Sequence, residues 1–266
     1  MDPDGADGAA CRRCGAPLGA VARFCSRCGE AAFDPGPAPA VWPLQARVQD
    51  AAPPLDRWAE LRVALQLWVA LVVCSGGIGV IANLSGSTSP VLDVAGTIAL
   101  AVLTLAFAAA TPREIGRLLA ARALGGHTLW LTAVLLVALL GFIQIYALVL
   151  TSVGFEYLRE TDSIEKYQWP VWAVFVMGAA CPAVFEEIAF RGVIYRRLEL
   201  VGGPREALVI QAAMFSIIHL LPAVFISHFF IGLALGWLRQ RSNSLLPGML
   251  VHGTYNATLL FLELAT

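Results

Sequence analysis

The sequence predicts an all-α polytopic membrane protein, a helical bundle of about seven spans preceded by a small zinc ribbon. Of the 266 residues, 58% are hydrophobic and only 14% are charged, whereas a soluble domain is about 25% charged. Seven apolar segments each approach the ~20 residues that a helix needs to cross a bilayer. The formal net charge of −1 gives no electrostatic reason to expect a nucleic-acid partner.

The zinc ribbon is predicted from four of the six cysteines, which lie together in "CRRCGAPLGAVARFCSRC". The candidate ligands are Cys11, Cys14, Cys25 and Cys28. Two C-x2-C pairs are typical of a tetrahedral zinc site, and Gly15 and Gly29 follow the pairs where a tight turn favours glycine. Four thiolates leave no open position for catalysis, so we expect structural zinc within residues 1–33. The alternative, two disulfides, requires an oxidising compartment.

The N-terminal sequence indicates a cytosolic start of the chain. The first ten residues, "MDPDGADGAA", lack the basic and apolar regions of a signal peptide. Residues 34–60 are rich in Pro and Ala and are expected to form an extended linker. The cysteine segment resembles zinc ribbons found at the N-termini of many bacterial membrane proteins. That resemblance implies a structural or docking role, with a possible protein partner for the ribbon, in a bacterial cytoplasmic membrane.

The membrane part is expected to begin near Leu61. The predicted spans are about 61–84, 91–110, 129–152, 170–190, 205–220, 222–238 and 245–264. Arginines cluster in the loops after spans two, four and six, whereas the loops after spans one and three are uncharged or acidic. Because positive loops stay in the cytosol, this pattern places the N-terminus inside and the C-terminus outside.

Charged residues inside the fourth span are the first functional signal. The stretch "CPAVFEEIAFRG" contains Glu186, Glu187 and Arg191, although one charge at the centre of a span costs about 2.5–3.5 kcal/mol. Glu187 and Arg191 are four residues apart and are predicted to pair on one helix face. Glu186 is rotated from Glu187 by about 100°, so it needs a partner on another helix. The alternative is that Glu186 lies at the cytosolic interface and is solvated.

Polar residues in spans five to seven supply further candidates. His219 follows Phe215 by four residues in "FSIIH", so the phenyl ring can wall a site and exclude water. His252 and Asn256, in "HGTYN", share a face and can present two N–H donors to an oxyanion. Each pattern also fits a structural role, as a hydrogen-bonded core histidine or a polar contact between helices. The sequence assigns no role to His228 in span six.

Taken in order, "EEIAFR", "FSIIH" and "HGTYN" match the motifs EExxxR, FxxxH and HxxxN. Over about residues 130–264 the sequence resembles the CPBP family, which includes the CAAX proteases and the bacteriocin-processing or Abi enzymes. The resemblance implies an intramembrane endopeptidase core at 129–266, with residues 61–128 as accessory transmembrane helices. Its substrate would be a membrane-associated peptide or protein within the lipid bilayer.

The resemblance also implies roles for individual residues. The implied catalytic residues are Glu186, His219, His252 and Asn256, and the supporting ones are Glu187, Arg191 and Phe215. The first glutamate would be the general base, and His219 would orient the attacking water. His252 and Asn256 would stabilise the oxyanion.

The sequence leaves the mechanism and the function class open. Glu186, His219 and His252 could also form a zinc site with an open position. We favour the metal-free mechanism because no H-E-x-x-H motif is present and Glu187, paired with Arg191, is poorly placed to be a separate base. The main alternative function is a non-catalytic membrane scaffold or immunity-type protein acting through its zinc ribbon. A transporter that uses the polar residues as a path is less favoured, because no broken helices are evident.

Overall fold

The structure is a computed structural model that describes residues 10–18, 24–30, 56–85, 90–120, 124–155 and 169–265. The chain divides into two units, Met1–Leu55 and Asp56–Thr266. Most of the predicted linker at 34–60 lies outside the described residues. Within the described residues the second unit is helical and the first contains two cysteine turns, so the predicted fold class is confirmed.

Eight helices make up the described part of the membrane unit. They are α1 (Arg57–Ser85), α2 (Pro90–Ala108), α3 (Pro112–Leu118), α4 (Gly126–Ser152), α5 (Val171–Gly202), α6 (Pro204–Ile217), α7 (Pro222–Ser242) and α8 (Leu246–Ala265). Among the described residues, α1, α2, α4, α5 and α7 are long and apolar enough to cross a membrane. The fifth predicted span corresponds to α6, whose 14 residues fall short of the ~20 that a span requires. The seventh corresponds to α8, which is long enough with its 20 residues. It is not among the five apolar helices, since it contains the polar HxxxN motif.

Helix α1 begins before the predicted end of the linker. The Asp56 carboxylate accepts hydrogen bonds from the backbone N–H groups of Trp58 at 3.0 Å and Ala59 at 3.1 Å. An aspartate in this position satisfies N–H groups that have no partner inside the helix. The helix therefore starts at Arg57 rather than near residue 61. The boundary is set by the capping residue Asp56, and hydropathy does not detect such a residue.

Helix α5 is the longest helix and is wound irregularly. Val176–Ala180 and Glu187–Ile194 form π-helical turns, a rare winding that is often found at functional sites. The second π-helical turn begins at a motif glutamate, and all eight of its residues are buried. The helix continues to Gly202, twelve residues beyond the predicted end at 190. The prediction ended too early because the last segment of the helix is amphipathic and too polar to be recognised by its hydropathy.

Helices α6 and α7 form a tightly packed hairpin. A Cβ added at Gly232 would lie 2.9 Å from the Cα of Ala212, and one added at Gly236 would lie 2.5 Å from Nε2 of Gln211. The same glutamine donates to the carbonyl of Gly232 at 2.8 Å. Small residues spaced by four let membrane helices approach closely, so this contact fixes α7 against α6 beside the candidate site.

Helix α1 packs against the hairpin and the end of α5. The indole Nε1 of Trp68 donates to the carbonyl of Met214 at 2.9 Å, and Arg197 forms an ion pair with Glu60. The first membrane helix, which lies outside the motif region, thus contacts α5 and α6 directly and supports both helices that carry the first two motifs.

Candidate active site

A buried ion pair lies at the centre of the membrane unit. Nη1 of Arg191 lies 3.0 Å from Oε1 of Glu187, and the side chains are 0% and 1% exposed. Arg191 also lies against the Phe215 ring, with Cζ 4.3 Å from its centroid. The predicted pairing on one helix face is confirmed, and it neutralises two charges that would be costly in isolation.

His252 on α8 lies between the two motif glutamates. Its Nδ1 is 3.1 Å from Oε1 of Glu187 and its Nε2 is 3.8 Å from Oε2 of Glu186. An ionised carboxylate only accepts hydrogen bonds, so Nδ1 carries the proton in this arrangement. In the neutral ring, Nε2 then has a free lone pair on the side of Glu186.

Glu186 is the glutamate without a fixed partner. Its side chain is 23% exposed, yet its Oε2 atom is buried and has no hydrogen-bond partner among the described residues. The 3.8 Å separation from His252 is too long for a hydrogen bond. The imidazole of His252 lies on another helix, as the spacing predicted for a neighbour of Glu186. The Oε2 atom of Glu186 is free to bind a water molecule or a substrate.

Gly248 is a site residue that the motifs do not identify. It lies one helical turn before His252 on α8, and a Cβ there would be 2.7 Å from Oε2 of Glu187. The glycine lets the carboxylate approach the α8 backbone and contact the imidazole. The spacing of four residues between Gly248 and His252 places both on one face of α8 and could have indicated this role. The sequence alone does not show that this face of α8 meets α5.

Phe215 lies between three histidines, one in the turn after α6, one on α7 and one on α8. Its ring centroid is 5.1 Å from that of His219, 6.1 Å from that of His228 and 6.1 Å from that of His252. The phenyl ring is 1% exposed. This position is consistent with the expectation that Phe215 walls the site. The imidazoles of His219 and His252 contact the phenyl ring edge-on, and that of His228 is tilted against it.

His219 and His228 form a contact that the sequence did not predict. Their ring centroids are 3.9 Å apart. Nδ1 of His219 lies 2.9 Å from the carbonyl of Phe215, and Nδ1 of His228 lies 2.9 Å from the carbonyl of Val224. Because a carbonyl only accepts, both Nδ1 atoms carry the proton and both Nε2 atoms are free to accept a hydrogen bond. His228 thus joins the site beside His219.

Asn256 contacts the first irregular turn of α5. Its Nδ2 donates to the carbonyl of Gly178 at 3.0 Å. Pro182, four residues after Gly178, has no N–H, so this carbonyl lacks its usual α-helical donor. The asparagine supplies that donor from α8. One of its two N–H bonds remains for another acceptor.

Substitutions at Asn256 and Pro182 can separate the structural part of this contact from catalysis. We expect Asn256→Ala to lower stability by about 1–3 kcal/mol, because it leaves a carbonyl unpaired. Pro182→Ala in the same chain restores a backbone N–H and is expected to recover most of that loss. The measurement is thermal unfolding in detergent, with Pro182→Ala alone as control. An equal loss in the single and double variants would contradict this role for Asn256.

The cysteine turns of the first unit form a separate candidate metal site. The four thiols lie within 4.8 Å of one another, and all are free. The sulfurs of Cys11 and Cys28, and those of Cys14 and Cys25, are 3.6 Å apart. Tetrahedral coordination with metal–sulfur bonds of about 2.3 Å requires about 3.8 Å between sulfurs. The cluster can therefore hold a metal ion.

The two cysteine turns have the same backbone geometry. Gly15 and Gly29 adopt φ values of 70° and 75°, a region that glycine occupies without strain. Backbone N–H groups of Arg27 and Cys28, directed at the sulfur of Cys25, lower the pKa of that thiol to about 6. The thiolate form of Cys25 is thereby favoured, whereas burial and the neighbouring thiols raise the pKa of the Cys28 thiol to about 12.

Comparison with known proteins gives one match, to part of the membrane unit. Residues 167–258 match the family model described as type II CAAX prenyl endopeptidase Rce1-like. This part of the chain, from α5 into α8, is similar to the Rce1-like endopeptidases. All three motifs lie within the matched residues, whereas the cysteine turns, α1 and α2 lie outside them. No curated protein and no solved structure gives a significant match.

The Rce1-like match agrees with the family resemblance of the motifs. Together with the five apolar helices of the described residues, it supports an integral membrane protein with similarity to the CAAX-type proteases. The matched segment covers a little over one third of the chain, and α1 supports it through the contacts with α5 and α6 described above.

Proposed function

We propose that the protein is an intramembrane endopeptidase in which Glu186 activates a water molecule for attack on a peptide bond. The observation that carries this proposal is the buried, unpartnered Oε2 atom of Glu186, which lies 3.8 Å from Nε2 of His252. A carboxylate already engaged in an ion pair, as Glu187 is, makes a poor proton acceptor. The free carboxylate is therefore the general base.

The first chemical step uses Glu186 and His219. A water molecule gives one proton to Oε2 of Glu186 and donates its other hydrogen to Nε2 of His219, whose Nδ1 is held by a backbone carbonyl. The water oxygen then forms a bond to the carbonyl carbon of the substrate. The electron pair of the broken π bond moves to the carbonyl oxygen and creates the oxyanion.

His252 and Asn256 are proposed to stabilise that oxyanion. In the neutral ring only Nδ1 of His252 carries a proton, and it is directed at Glu187. The proton taken up by Glu186 can pass to Nε2 of His252, and Glu187 then stabilises the imidazolium. The new N–H, with the remaining N–H of Asn256, faces the oxyanion, and the same proton can be given to the leaving nitrogen.

The spacing of the ligand atoms supports a metal-free site. Among the described residues, the four cysteines are the only group of three or more metal-ligating side chains within 4.8 Å of one another. Glu186, His219 and His252 would have to move together to bind one ion. The metal in the cysteine cluster is proposed to be structural zinc, because the C-x2-C turns suit its tetrahedral preference.

Metal analysis tests this assignment. The full chain is expected to bind about one zinc ion per molecule, and deletion of residues 1–34 is expected to leave none, because four thiolates complete the site. The measurement is elemental analysis of purified protein. Stoichiometric zinc that persists in the deletion variant and disappears with His219→Ala would refute the metal-free mechanism.

The arginine-rich end of the bundle supports a cytosolic N-terminus. The start of α1 lies at this end, since Glu60 pairs with Arg197 near the end of α5. Further arginines lie in the helix ends beside three junctions, Arg113 after that of α2 with α3, Arg205 after that of α5 with α6, and Arg241 before that of α7 with α8. By the positive-inside rule this end is cytosolic.

The substrate is proposed to be a membrane-associated peptide or protein of the CAAX type. Comparative membrane peptidomics of cells with the wild-type chain and with Glu186→Ala tests this. A peptide set that is cut only in wild-type cells would identify the substrates. Identical peptide profiles, with both chains inserted in the membrane, would favour the scaffold function.

A further inference from the structure

A basic cavity lies at the arginine-rich end of the membrane unit, away from the candidate active site. It has a volume of about 580 Å³ and is lined by residues of α3, α5, α6 and α7 and of the turn after α7. We infer that this cavity binds an anionic phosphate group, and its place in the bundle favours a phospholipid headgroup as the source.

The charges that line the cavity are not balanced. The lining contains the arginines Arg117, Arg196, Arg239 and Arg241 and the glutamates Glu114 and Glu199. Both carboxylates are held by Arg196, each at 2.8 Å. Among the described residues, the other three arginines make no ion pair within 4.0 Å. The cavity thus has a net charge of +2, and its carboxylates are already engaged.

Arg239 shows why an anion is required. It is only 6% exposed, and its one hydrogen bond to a side chain goes from Nη1 to Oδ1 of Asn243, at 3.1 Å. Its Nε atom has no hydrogen-bond partner among the described residues, and its guanidinium lies 5.6 Å from the ring centroid of Tyr195. A buried guanidinium without a carboxylate is unfavourable unless another anion compensates it.

Phosphate is the anion that this geometry suits. Guanidinium groups bind phosphate oxygens through paired N–H donors, and several arginines on different helices surround one space. The volume of about 580 Å³ lies within the ~300–1,000 Å³ typical of small-molecule sites, so it accommodates a phosphate together with its glycerol.

The place of the cavity favours a lipid as the source of the phosphate. Arg196 lies next to Arg197, whose partner Glu60 is in the first turn of α1. The cavity is therefore level with the start of a membrane-spanning helix, where headgroups lie. Basic pockets between membrane helices on the cytosolic side recognise anionic headgroups.

Ligand-dependent thermal unfolding of the full-length protein in detergent tests the inference. The ligands are dioctanoyl phosphatidylglycerol, dioctanoyl phosphatidylcholine and inorganic phosphate. We expect phosphatidylglycerol to raise the unfolding temperature in a saturable manner and phosphatidylcholine to have little effect. Stabilisation by inorganic phosphate without stabilisation by phosphatidylglycerol would support the phosphate site and assign it to a soluble anion.

Two double variants decide whether the cavity is the site. Arg117→Gln with Arg241→Gln removes two exposed lining arginines, and we expect it to weaken phosphatidylglycerol binding about tenfold or more. Arg113→Gln with Arg205→Gln removes two charges from the same end outside the cavity and is expected to retain binding. Equal weakening in both variants, or equal stabilisation by both lipids, would overturn the inference, because either result indicates general surface charge or detergent effects.

Discussion

Glu186→Gln is expected to lower peptide cleavage by about 10³-fold or more, because it removes the group proposed to take a proton from water. Glutamine keeps the size and polarity of the side chain. Its amide can still lie 3.8 Å from the imidazole of His252, as the carboxylate does. The loss should therefore appear in the rate of the chemical step and not in membrane insertion. The measurement is single-turnover cleavage by purified protein of a peptide identified by peptidomics.

Asp93→Asn is the matched control for this variant. It removes a carboxylate from another membrane helix, α2, where the side chain is exposed. We expect wild-type cleavage rates from it. Cleavage by Glu186→Gln at more than about a tenth of the wild-type rate would show that another group is the base.

Arg191→Met is expected to lower the free energy of unfolding by about 3–5 kcal/mol. The substitution leaves Glu187, which is 1% exposed, with an uncompensated charge in an apolar interior. His252 can offset part of this loss by taking up a proton, since its Nδ1 is 3.1 Å from the same carboxylate oxygen. The measurement is the free energy of unfolding in mixed micelles.

The double variant Glu187→Gln with Arg191→Met tests the origin of that loss. Removing both charges is expected to recover most of the stability, because the cost arises from the unpaired partner. Arg197→Met is the control, since it breaks the pair with Glu60, whose side chains are 16% and 18% exposed. It should cost less than Arg191→Met, because water still reaches the unpaired Glu60. If the double variant were as unstable as Arg191→Met alone, the lost packing of the arginine would be the cause.

Features that depend on one segment of the chain could be predicted from the sequence. The spacing of Glu187 and Arg191 by four residues predicted their ion pair, which forms at 3.0 Å. The repeated C-x2-C-G pattern predicted the two cysteine turns, with Gly15 and Gly29 at positive φ. Hydropathy located the five described helices that are long and apolar enough to cross a membrane, because a bilayer imposes a minimum apolar length.

Features that depend on how two helices meet could not be predicted. The contact of His252 with Glu187 requires the register of α8 against α5, and Gly248 is informative only once that register is known. The pairing of Asn256 with the carbonyl of Gly178 results from a proline on a different helix. Likewise, the contact between the rings of His219 and His228 depends on the close approach of α6 and α7. Gly232 makes that approach possible.

The shortness of α6 has a consequence for the surrounding lipid. Its 14 residues span about 21 Å at 1.5 Å per residue, whereas the hydrocarbon layer is about 30 Å thick. The turn that follows exposes Leu220 and Leu221, each 49% accessible, next to His219. Acyl chains beside this hairpin must shorten or tilt to match it. We therefore expect a thinner bilayer on the side where His219 lies, and a shorter path for the polar backbone of a peptide that reaches the imidazole.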